Sequence, residues 1–445
     1  MIRRIINKLL KRHPPQQRGK LHTLVASEQG LRPQAISPCA LRVVKTLQDN
    51  GYQAFIVGGA VRDMLLGIIP KDFDVATNAT PDQIRRVIRR SRIIGRRFQI
   101  IHVPCQNEIV EVTTFRGHAH ATHDTRSQTD DQGRLTRDNV FGSLDEDAAR
   151  RDFSANALYY DPVHNRLLDF FGGREAVAAR QLVMIGDPPQ RFREDPVRLL
   201  RAIRFSAKLD FNFEARLVTP LHEMGALLDA IPDSRLFDEL LKLLLSGHAA
   251  PCLRLLRQYK LHGRLLPLLD ESLVNPVDER FMSLALDNTD ERLRQQKPIS
   301  QGFLLSALLW PALRRRWDDR CQRGEALYPA LFGAIDQVLE AQRSSLPIPH
   351  RIDGGMKEIW SMQPRFLQRS GQRPLRLLEH PRFRAGFDFL VLRAASGEIE
   401  QELADWWESF QSRDAEAREA MLVPEPRKTR SRRRRRPAAA NEGTS

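Results

Sequence analysis

The sequence predicts an α/β domain built on one small mixed sheet, followed by an all-α region and a disordered basic tail. Strand-like and helix-like segments alternate between residues 36 and 170. From about residue 175 onward nearly every segment carries leucines at helical spacing, which is typical of the core faces of packed helices. Residues 427–436 hold eight Lys or Arg and no acidic residue, a composition typical of a solvated tail.

A chain of 445 residues is too long for one ordinary core, so several domains are expected. Shifts in composition predict five segments: a flexible arm over 1–35, an α/β head over 36–170, a helical neck over 171–250, a helical body over 251–425 and a disordered tail over 426–445.

Local signals predict each element of the head in turn. Thr80 caps a helix that has Pro81 at its first position, and glycines close other helices. The predicted elements are a helix in SPCALRVVKTLQDNG, a strand in YQAFIVGG, a short helix in AVRDMLLG, a strand in KDFDVAT, a helix in TPDQIRRVIRRS, an antiparallel pair in FQIIHVPC and NEIVEVTTF, and a helix across LDEDAARRDFSANALYYDP that turns back at LLDFFGG.

Composition restricts the class of protein. The chain has 70 Lys and Arg against 55 Asp and Glu, a net charge of +15, which favours a polyanionic partner, nucleic acid before membrane. No apolar run approaches the roughly 20 residues that span a bilayer, and the basic N-terminus lacks the unbroken apolar region of a secretory signal. The four cysteines have no metal-type spacing, so free thiols in a reducing cytoplasm are expected.

Two glycines mark a candidate phosphate site. In VGGAVRD a predicted strand delivers Gly58 and Gly59 into the start of a short helix. Glycine lets a ligand approach the backbone closely, and successive backbone N–H groups attract anions. A tight turn without a ligand would use the same residues, so this turn needs a second observation to support it.

A pair of carboxylates supplies that observation. Asp72 and Asp74 are two residues apart on a predicted strand, so both side chains point to one face. Two like charges side by side need a cation, and Mg²⁺ (Mn²⁺ is the alternative) held by carboxylates keeps open positions for substrate phosphates. Glu111 on the predicted neighbouring strand is the candidate third carboxylate; Glu108 competes, but three positions away it faces the other side.

GGAVRD followed by KDFDVATNAT resembles the head domain of class II nucleotidyltransferases, the family that holds bacterial poly(A) polymerases and CCA-adding tRNA nucleotidyltransferases. The resemblance continues in order through RRDFSANALYYDP, LLDFFGG, LVMIGDPPQRFREDPVRLLRAIRF and LFDELLKLLLSG, and covers roughly residues 40–250. It implies the nucleotidyltransferase fold for the head, nucleotide-base and RNA binding in the neck, and RNA binding in the body.

The resemblance also implies a role for each matching residue. The implied roles are catalytic metal ligands for Asp72 and Asp74, contacts to the triphosphate of ATP for Gly58 and Gly59, a brace of that turn for Arg62 and Asp63, and a catalytic acidic residue near the nucleotide sugar for Asp152. Arg151 either serves a phosphate or makes a surface ion pair.

The segment REDPVRLLR fits the nucleotide-base reader of that family. Asp195 is expected to cap a helix with Pro196 at its first position, which places Asp195, Arg198 and Arg201 on one face. A carboxylate acceptor beside a guanidinium donor can match the Watson–Crick edge of a base, so these three are candidate nucleotide-binding residues.

Two features favour poly(A) polymerases over the CCA-adding relatives. IIGRRFQIIHV resembles the segment that marks the former, with Arg96 and Arg97 before Phe98. The tail can bind phosphates without reading sequence through its run Arg432, Arg433, Arg434, Arg435 and Arg436. The expected reaction is template-independent addition of AMP from ATP to RNA 3′ ends, by a cytoplasmic monomer.

Three alternatives stay open from the sequence. A CCA-adding or A-adding tRNA enzyme is the first, a catalytically silent RNA-binding protein is the second, and a small-molecule nucleotidyltransferase is a weaker third. His118, His120 and His123 suggest zinc, but no neighbouring cysteine or ordered scaffold supports it, so no zinc site is expected.

Overall fold

The computed structural model describes residues 19–95, 99–106, 108–117, 127–129, 135–138 and 140–424. These residues form two compact units. Unit 1 comprises the described residues up to Pro267 together with Thr289–Pro298 and Arg343–Pro347. Unit 2 comprises Leu268–Asn288, Ile299–Gln342 and the described residues from Ile348 onward. The predicted head and neck thus fall within one unit.

An eight-stranded mixed sheet is the scaffold of unit 1. Its strands are β1 (His22–Val25), β2 (Ala54–Val57), β3 (Asp74–Thr77), β4 (Arg92–Ile94), β5 (Ile100–Pro104), β6 (Ile109–Thr114), β9 (Leu158–Asp161) and β10 (Arg166–Asp169), while β7 (Ser127–Thr129), β8 (Leu135–Asp138), β11 (Gln181–Leu182) and β12 (Asn212–Phe213) form two small separate sheets. The eight strands lie in the order β1-β10-β9-β2-β3-β6-β5-β4, with β3 parallel to β6 and every other neighbouring pair antiparallel. The predicted mixed sheet and the antiparallel pairing of β5 with β6 are confirmed.

Helices lie between the strands along the chain, and nearly all of the described chain after β12 is helical. Their starts follow local chemistry: Thr80 and Gln83 form a reciprocal capping box at the predicted helix start. The helices are α1 (Pro38–Asp49), α2 (Gly59–Leu65), α3 (Pro81–Val87), α4 (Leu144–Arg150), α5 (Gly173–Ala178), α6 (Pro188–Glu194), α7 (Val197–Leu209), α8 (Ala215–Glu223), α9 (Asp233–Leu244), α10 (Ala249–Gln258), α11 (Pro276–Arg294), α12 (Gln301–Gln322), α13 (Leu327–Ser345), α14 (His350–Phe366), α15 (Arg373–Leu378), α16 (Phe383–Ser396), α17 (Gln401–Ser412) and α18 (Ala415–Met421). No helix among the described residues is long and apolar enough to cross a membrane.

The structure corrects three expectations. The helix expected across 144–162 ends at Arg150, and residues 158–161 form β9 in the middle of the sheet. Part of the expected flexible arm is ordered, because β1 pairs with β10 at the sheet edge; residues 1–18 lie outside the described residues. Cys39 and Cys105 form a disulfide instead of free thiols, whereas Cys252 and Cys321 are free as expected.

Candidate active site

The sheet register brings the glycine turn and the carboxylates together. Val57, the last residue of β2, is the direct partner of Asp74, the first residue of β3. Gly58 therefore leaves the sheet beside Asp74. On the other side of β3, Glu111 of β6 is the direct partner of Asp74, which confirms the expected neighbouring strand. Three predicted site elements that are separate in sequence thus meet across three adjacent strands.

Gly58 needs the conformation that glycine allows. Its φ of 68° lies in the region that a Cβ disfavours. A Cβ built at Gly58 would also lie 3.1 Å from Nη1 of Arg151. The backbone N–H of Gly58 donates to the carbonyl of Leu158 in β9, which holds the turn against the sheet. The turn therefore brings bare backbone close to the half-buried guanidinium of Arg151.

The two aspartates keep the predicted alternation, although β3 begins only at Asp74. Asp72 and Asp74 are exposed, whereas Phe73 and Val75 between and beyond them are buried. Desolvation by the surrounding protein, then the charges of Glu111 and Asp72, raise the pKa of Asp74 to about 6. The described protein supplies too little positive charge to balance Asp72, Asp74 and Glu111. Such an excess of negative charge is expected at a site for a divalent cation.

Glu111 has a partner of its own. Its Oε1 lies 3.4 Å from Nε2 of His102, the residue directly opposite it on β5. No three His, Cys, Asp or Glu side chains among the described residues already converge as a metal cage. Asp72 and Asp74 therefore offer a carboxylate pair, and Glu111 would have to turn from His102 to act as a third ligand.

A buried hydrogen-bond network fixes the back of the turn. The guanidinium of Arg62 donates to Asp63 Oδ1 at 2.6 and 2.9 Å and to Asn156 Oδ1 at 2.5 Å. Asn156 Nδ2 donates in turn to Asp152 Oδ1 at 3.3 Å, and Arg201 Nε donates to Asp152 Oδ2 at 2.6 Å. The structure thus connects four of the predicted residues through Asn156, which sequence reasoning missed.

Asp152 is held as an anion by this network. Burial acts to raise its pKa, but Arg201, the backbone N–H of Phe153 and Asn156 outweigh burial and lower the pKa below its usual value. Its two carboxylate oxygens already accept three hydrogen bonds. The contact of Asp152 with the nucleotide sugar remains a prediction.

Arg151 is half-buried and makes an ion pair with Asp147, one of the two roles expected for it. Its guanidinium donates to the Tyr159 hydroxyl, the Asn156 carbonyl and Asp147 Oδ2 at 3.0, 3.0 and 3.2 Å. Burial acts to lower the pKa of Arg151, but Tyr159 and Asp147 outweigh burial and raise it. The charge of Arg151 also acts on Asp74. A fixed cation therefore lies behind both the glycine turn and the carboxylates.

The base-reading residues are arranged differently from the expectation. Asp195 follows the last residue of α6, and its side chain caps no helix. Oδ2 accepts from Nη2 of Arg235 at 2.8 Å, while Oδ1 is buried and has no hydrogen-bond partner among the described residues. Arg198 donates to the Arg191 carbonyl at 2.7 Å and to Glu194 Oε2 at 3.2 Å, so it does not pair with Asp195. A buried acceptor without a donor is costly, and the base-reading role of Asp195 stays a prediction.

Sequence reasoning missed Glu194 and Phe205 as well as Asn156. Glu194 lies four residues before Arg198, a spacing that by itself signals a helical ion pair. The guanidinium groups of Arg62, Arg201 and Arg204 lie 5.5, 5.2 and 4.8 Å from the Phe205 ring centroid. No local signal marks Phe205, because Arg62 reaches it from far along the chain.

Several predicted residues lie outside the described residues. These are the RNA-binding candidates Arg96, Arg97, Arg432, Arg433, Arg434, Arg435 and Arg436, and the histidines His118, His120 and His123. Their assignments stay predictions.

Known proteins are similar in sequence to this chain over nearly its whole length. Family profiles described as the poly A polymerase head domain, the probable RNA and SrmB-binding site of polymerase A, and the polymerase A arginine-rich C-terminus match residues 54–183, 210–273 and 323–439. The chain is 42% identical to Poly(A) polymerase I of Haemophilus influenzae over 96% of this chain and 97% of that protein, and 42% identical to Poly(A) polymerase I of Salmonella typhimurium over 95% and 94%.

A solved structure of a more distant relative resembles the fold. The crystal structure of the Bacillus stearothermophilus CCA-adding enzyme in complex with CTP superposes with a TM-score of 0.52 at 26% identity, covering 85% of this chain and 82% of that one. The near-complete coverage at 42% identity, together with the three family profiles, shows that this chain belongs to the poly(A) polymerase family of nucleotidyltransferases.

Proposed function

We propose that this chain is a polynucleotide adenylyltransferase that extends RNA 3′ ends with AMP from ATP, without a template. The RNA 3′-oxygen forms a bond to the α-phosphorus of ATP, the bond between that phosphorus and the bridging oxygen breaks, and pyrophosphate leaves. The observation that carries the proposal is the register in which Val57 and Glu111 both pair with Asp74, since it joins a phosphate turn to a carboxylate pair.

The residues present fit a two-metal site. Asp72 and Asp74, with Glu111 as the third ligand, would hold Mg²⁺ or Mn²⁺. When bound, such ions supply positive charge that lowers the pKa of the attacking hydroxyl and stabilises the leaving phosphates. The raised pKa of Asp74 supports this assignment, because a cation would favour the ionised form that burial and Glu111 disfavour.

The chain itself positions the nucleotide. The backbone at Gly58 and Gly59 receives the triphosphate, while Arg62, Asp63 and Arg151 fix the turn from behind. Arg201 holds Asp152, which we assign to the nucleotide sugar. Without a template the protein must select the base, and Asp195 Oδ1 can accept from the adenine amine beside Arg198.

RNA 3′ ends are the second substrate, bound largely without sequence preference. The net charge of +15 and the arginine run of the tail support this class of partner. Polyadenylation of this kind belongs to bacterial RNA processing and decay. We place the reaction in the cytoplasm and assign it to a monomer.

A primer-extension assay tests the function. The full chain is incubated with Mg²⁺ and each NTP separately, on an unstructured 15-nucleotide RNA and on tRNA lacking its 3′ end. Long products with ATP on the plain RNA are expected. Addition of two cytidines and one adenosine on tRNA alone would identify the CCA-adding alternative. No product on either RNA would leave an RNA-binding protein.

Replacing the carboxylates tests the metal assignment. We expect Asp72→Ala and Asp74→Ala to abolish AMP addition while circular dichroism and the unfolding temperature show an intact fold. Asp49→Ala, at an exposed aspartate of α1, is the matched control and should keep full activity. Normal turnover by a folded Asp74→Ala protein would refute the metal site.

A further inference from the structure

Four residues form one cross-strand row that starts at the carboxylate pair. Asp74, Glu111, His102 and Arg92 are each the direct partner of the next, across β3, β6, β5 and β4. Direct partners in a sheet place their side chains on the same face. Because β4 is the last strand of the sheet, the row runs from Asp74 to the sheet edge.

Asp74 separates a buried apolar part of this sheet face from an exposed charged part. On its other side the row continues through Val57 and Tyr159, which are buried in an apolar cluster. On the open side, 46% of the Glu111 side chain and 29% of the His102 side chain are exposed, and Arg92 is exposed. One half of the face is therefore core, and the other half is an accessible charged surface.

The edge that ends the row is strongly basic. Arg85, Arg86, Arg89, Arg90 and Arg92 are all exposed, and none has an ion-pair partner among the described residues. The segment 81–95 contains only one acidic residue, Asp82, so its net charge is +4. Five uncompensated guanidinium groups within eight residues repel one another, and a polyanion relieves that repulsion.

Apolar side chains flank the row on the same face. Ile94 is two residues from Arg92 on β4, and Ile109 is two residues from Glu111 on β6, so both point to the row's side of the sheet. Their exposures are 46% and 54%. Exposed apolar groups beside cations suit a single-stranded nucleic acid, whose bases bury apolar surface while its phosphates bind arginine.

We propose that this surface, the edge track (Arg92 and His102, with Arg89 and Arg90 leading into β4), binds the backbone of the RNA primer upstream of its 3′ end. The proposal rests on the proposed function, which places the 3′-hydroxyl at Asp74. The glycine turn lies on the β2 side of Asp74, so the triphosphate and the RNA approach the carboxylates from opposite sides.

The strand spacing sets which nucleotides are bound. Three strand-to-strand steps of about 4.8 Å separate Arg92 from Asp74, a span of roughly 15 Å. One strand of a duplex rises roughly 3.4 Å per nucleotide, and a stretched single strand advances further per nucleotide. Arg92 is thus within reach of a phosphate several nucleotides before the 3′ end, beyond the length of a dinucleotide primer.

Primer length is the test. KM and kcat for AMP addition are measured for the full-length Arg92→Gln variant on a dinucleotide and on a 15-nucleotide oligo(A). We expect KM for the long primer to rise about threefold to tenfold, as for loss of one phosphate contact, with kcat, KM for ATP and dinucleotide kinetics unchanged. Arg92→Lys should retain most of the affinity for the long primer.

Controls separate this outcome from general effects. Arg42→Gln removes an exposed arginine of α1 outside the row and should leave both primers unaffected. Equal effects of Arg92→Gln on both primers, or no effect on either, would overturn the edge track.

If the unmodified chain extends no primer, the proposed function fails by itself. The salt dependence of RNA binding then decides: Arg92→Gln should lower the log–log slope by about 0.7, and an unchanged slope would refute the contact.

Discussion

The surroundings of Asp74 disfavour the negative charge of its carboxylate. Its pKa is raised from 3.8 to about 6 by desolvation and by the neighbouring Glu111 and Asp72. The folded protein therefore binds this proton more tightly than the unfolded chain does. The resulting contribution to stability is complete below pH 3.8 and is lost as the pH rises through about 6.

Neutralising Asp74 should consequently stabilise the metal-free protein at high pH. We expect Asp74→Asn to raise the unfolding temperature at pH 8 in the presence of a chelator and to change it little at pH 4. Scanning calorimetry across this range measures the effect, with Asp49→Asn as the exposed control. Mg²⁺ should stabilise the unmodified chain at pH 8 more than the variant. A variant less stable than the parent at pH 8 would contradict the charge argument.

Asp195 should control the choice of base. Its buried Oδ1 has no donor within the described residues, so the amine of a bound adenine would donate the missing hydrogen bond. Loss of a hydrogen bond to a charged group costs about 1.5–3 kcal/mol, which corresponds to roughly tenfold or more in affinity. We expect Asp195→Ala to raise KM for ATP accordingly and to narrow the preference for ATP over the other NTPs.

Asp238→Ala is the matched control for base selection, because Asp238 is an exposed aspartate on α9. Competition between ATP and CTP on one primer gives the preference directly. An unchanged ratio of kcat/KM values in Asp195→Ala would remove Asp195 from base reading.

The turn between β2 and α2 requires glycine at Gly58 for two reasons, its backbone conformation and its contact with Arg151. Gly58 and Gly67 both have positive φ, at 68° and 73°, so alanine strains the backbone at either position. Only at Gly58 would the new Cβ meet Arg151; a Cβ at Gly67 would have no described atom within 4 Å apart from its chain neighbours. We expect both alanine variants to lose about 1–2 kcal/mol of stability, but only Gly58→Ala to weaken ATP binding. Equal KM values for ATP in the two variants would refute a triphosphate contact at this turn.

Element prediction succeeded where local chemistry decides and failed where burial decides. The capping box fixes α3, and α1 begins at Pro38 behind the capping Ser37. β9 was mistaken for helix because all four of its residues are buried, and a strand buried on both faces shows no alternation. β1 has no strong pattern of its own and is ordered by pairing with β10, some 140 residues later.

At the scale of the whole molecule, the charge distribution predicts how binding responds to salt. Deleting residues 427–445 removes eight cations and Glu442, which lowers the net charge from +15 to +8. We expect this deletion to weaken RNA binding most at raised salt and to slow a single AMP addition much less. Affinities from anisotropy at several salt concentrations, with single-turnover rates, measure both effects. An unchanged salt dependence would contradict a role of the tail in RNA binding.

The residue types and spacing of the glycine turn and of Asp72 and Asp74 were enough to predict a phosphate turn beside a metal site. How these motifs are joined in space could be read only from the folded chain. The bonds Arg62–Asn156 and Arg201–Asp152 join residues 94 and 49 positions apart, and the row from Asp74 to Arg92 depends on the pairing of four strands. The physical reason is that spacing along one segment fixes the direction of its side chains, whereas contacts between distant segments follow from sheet register and the burial of the core.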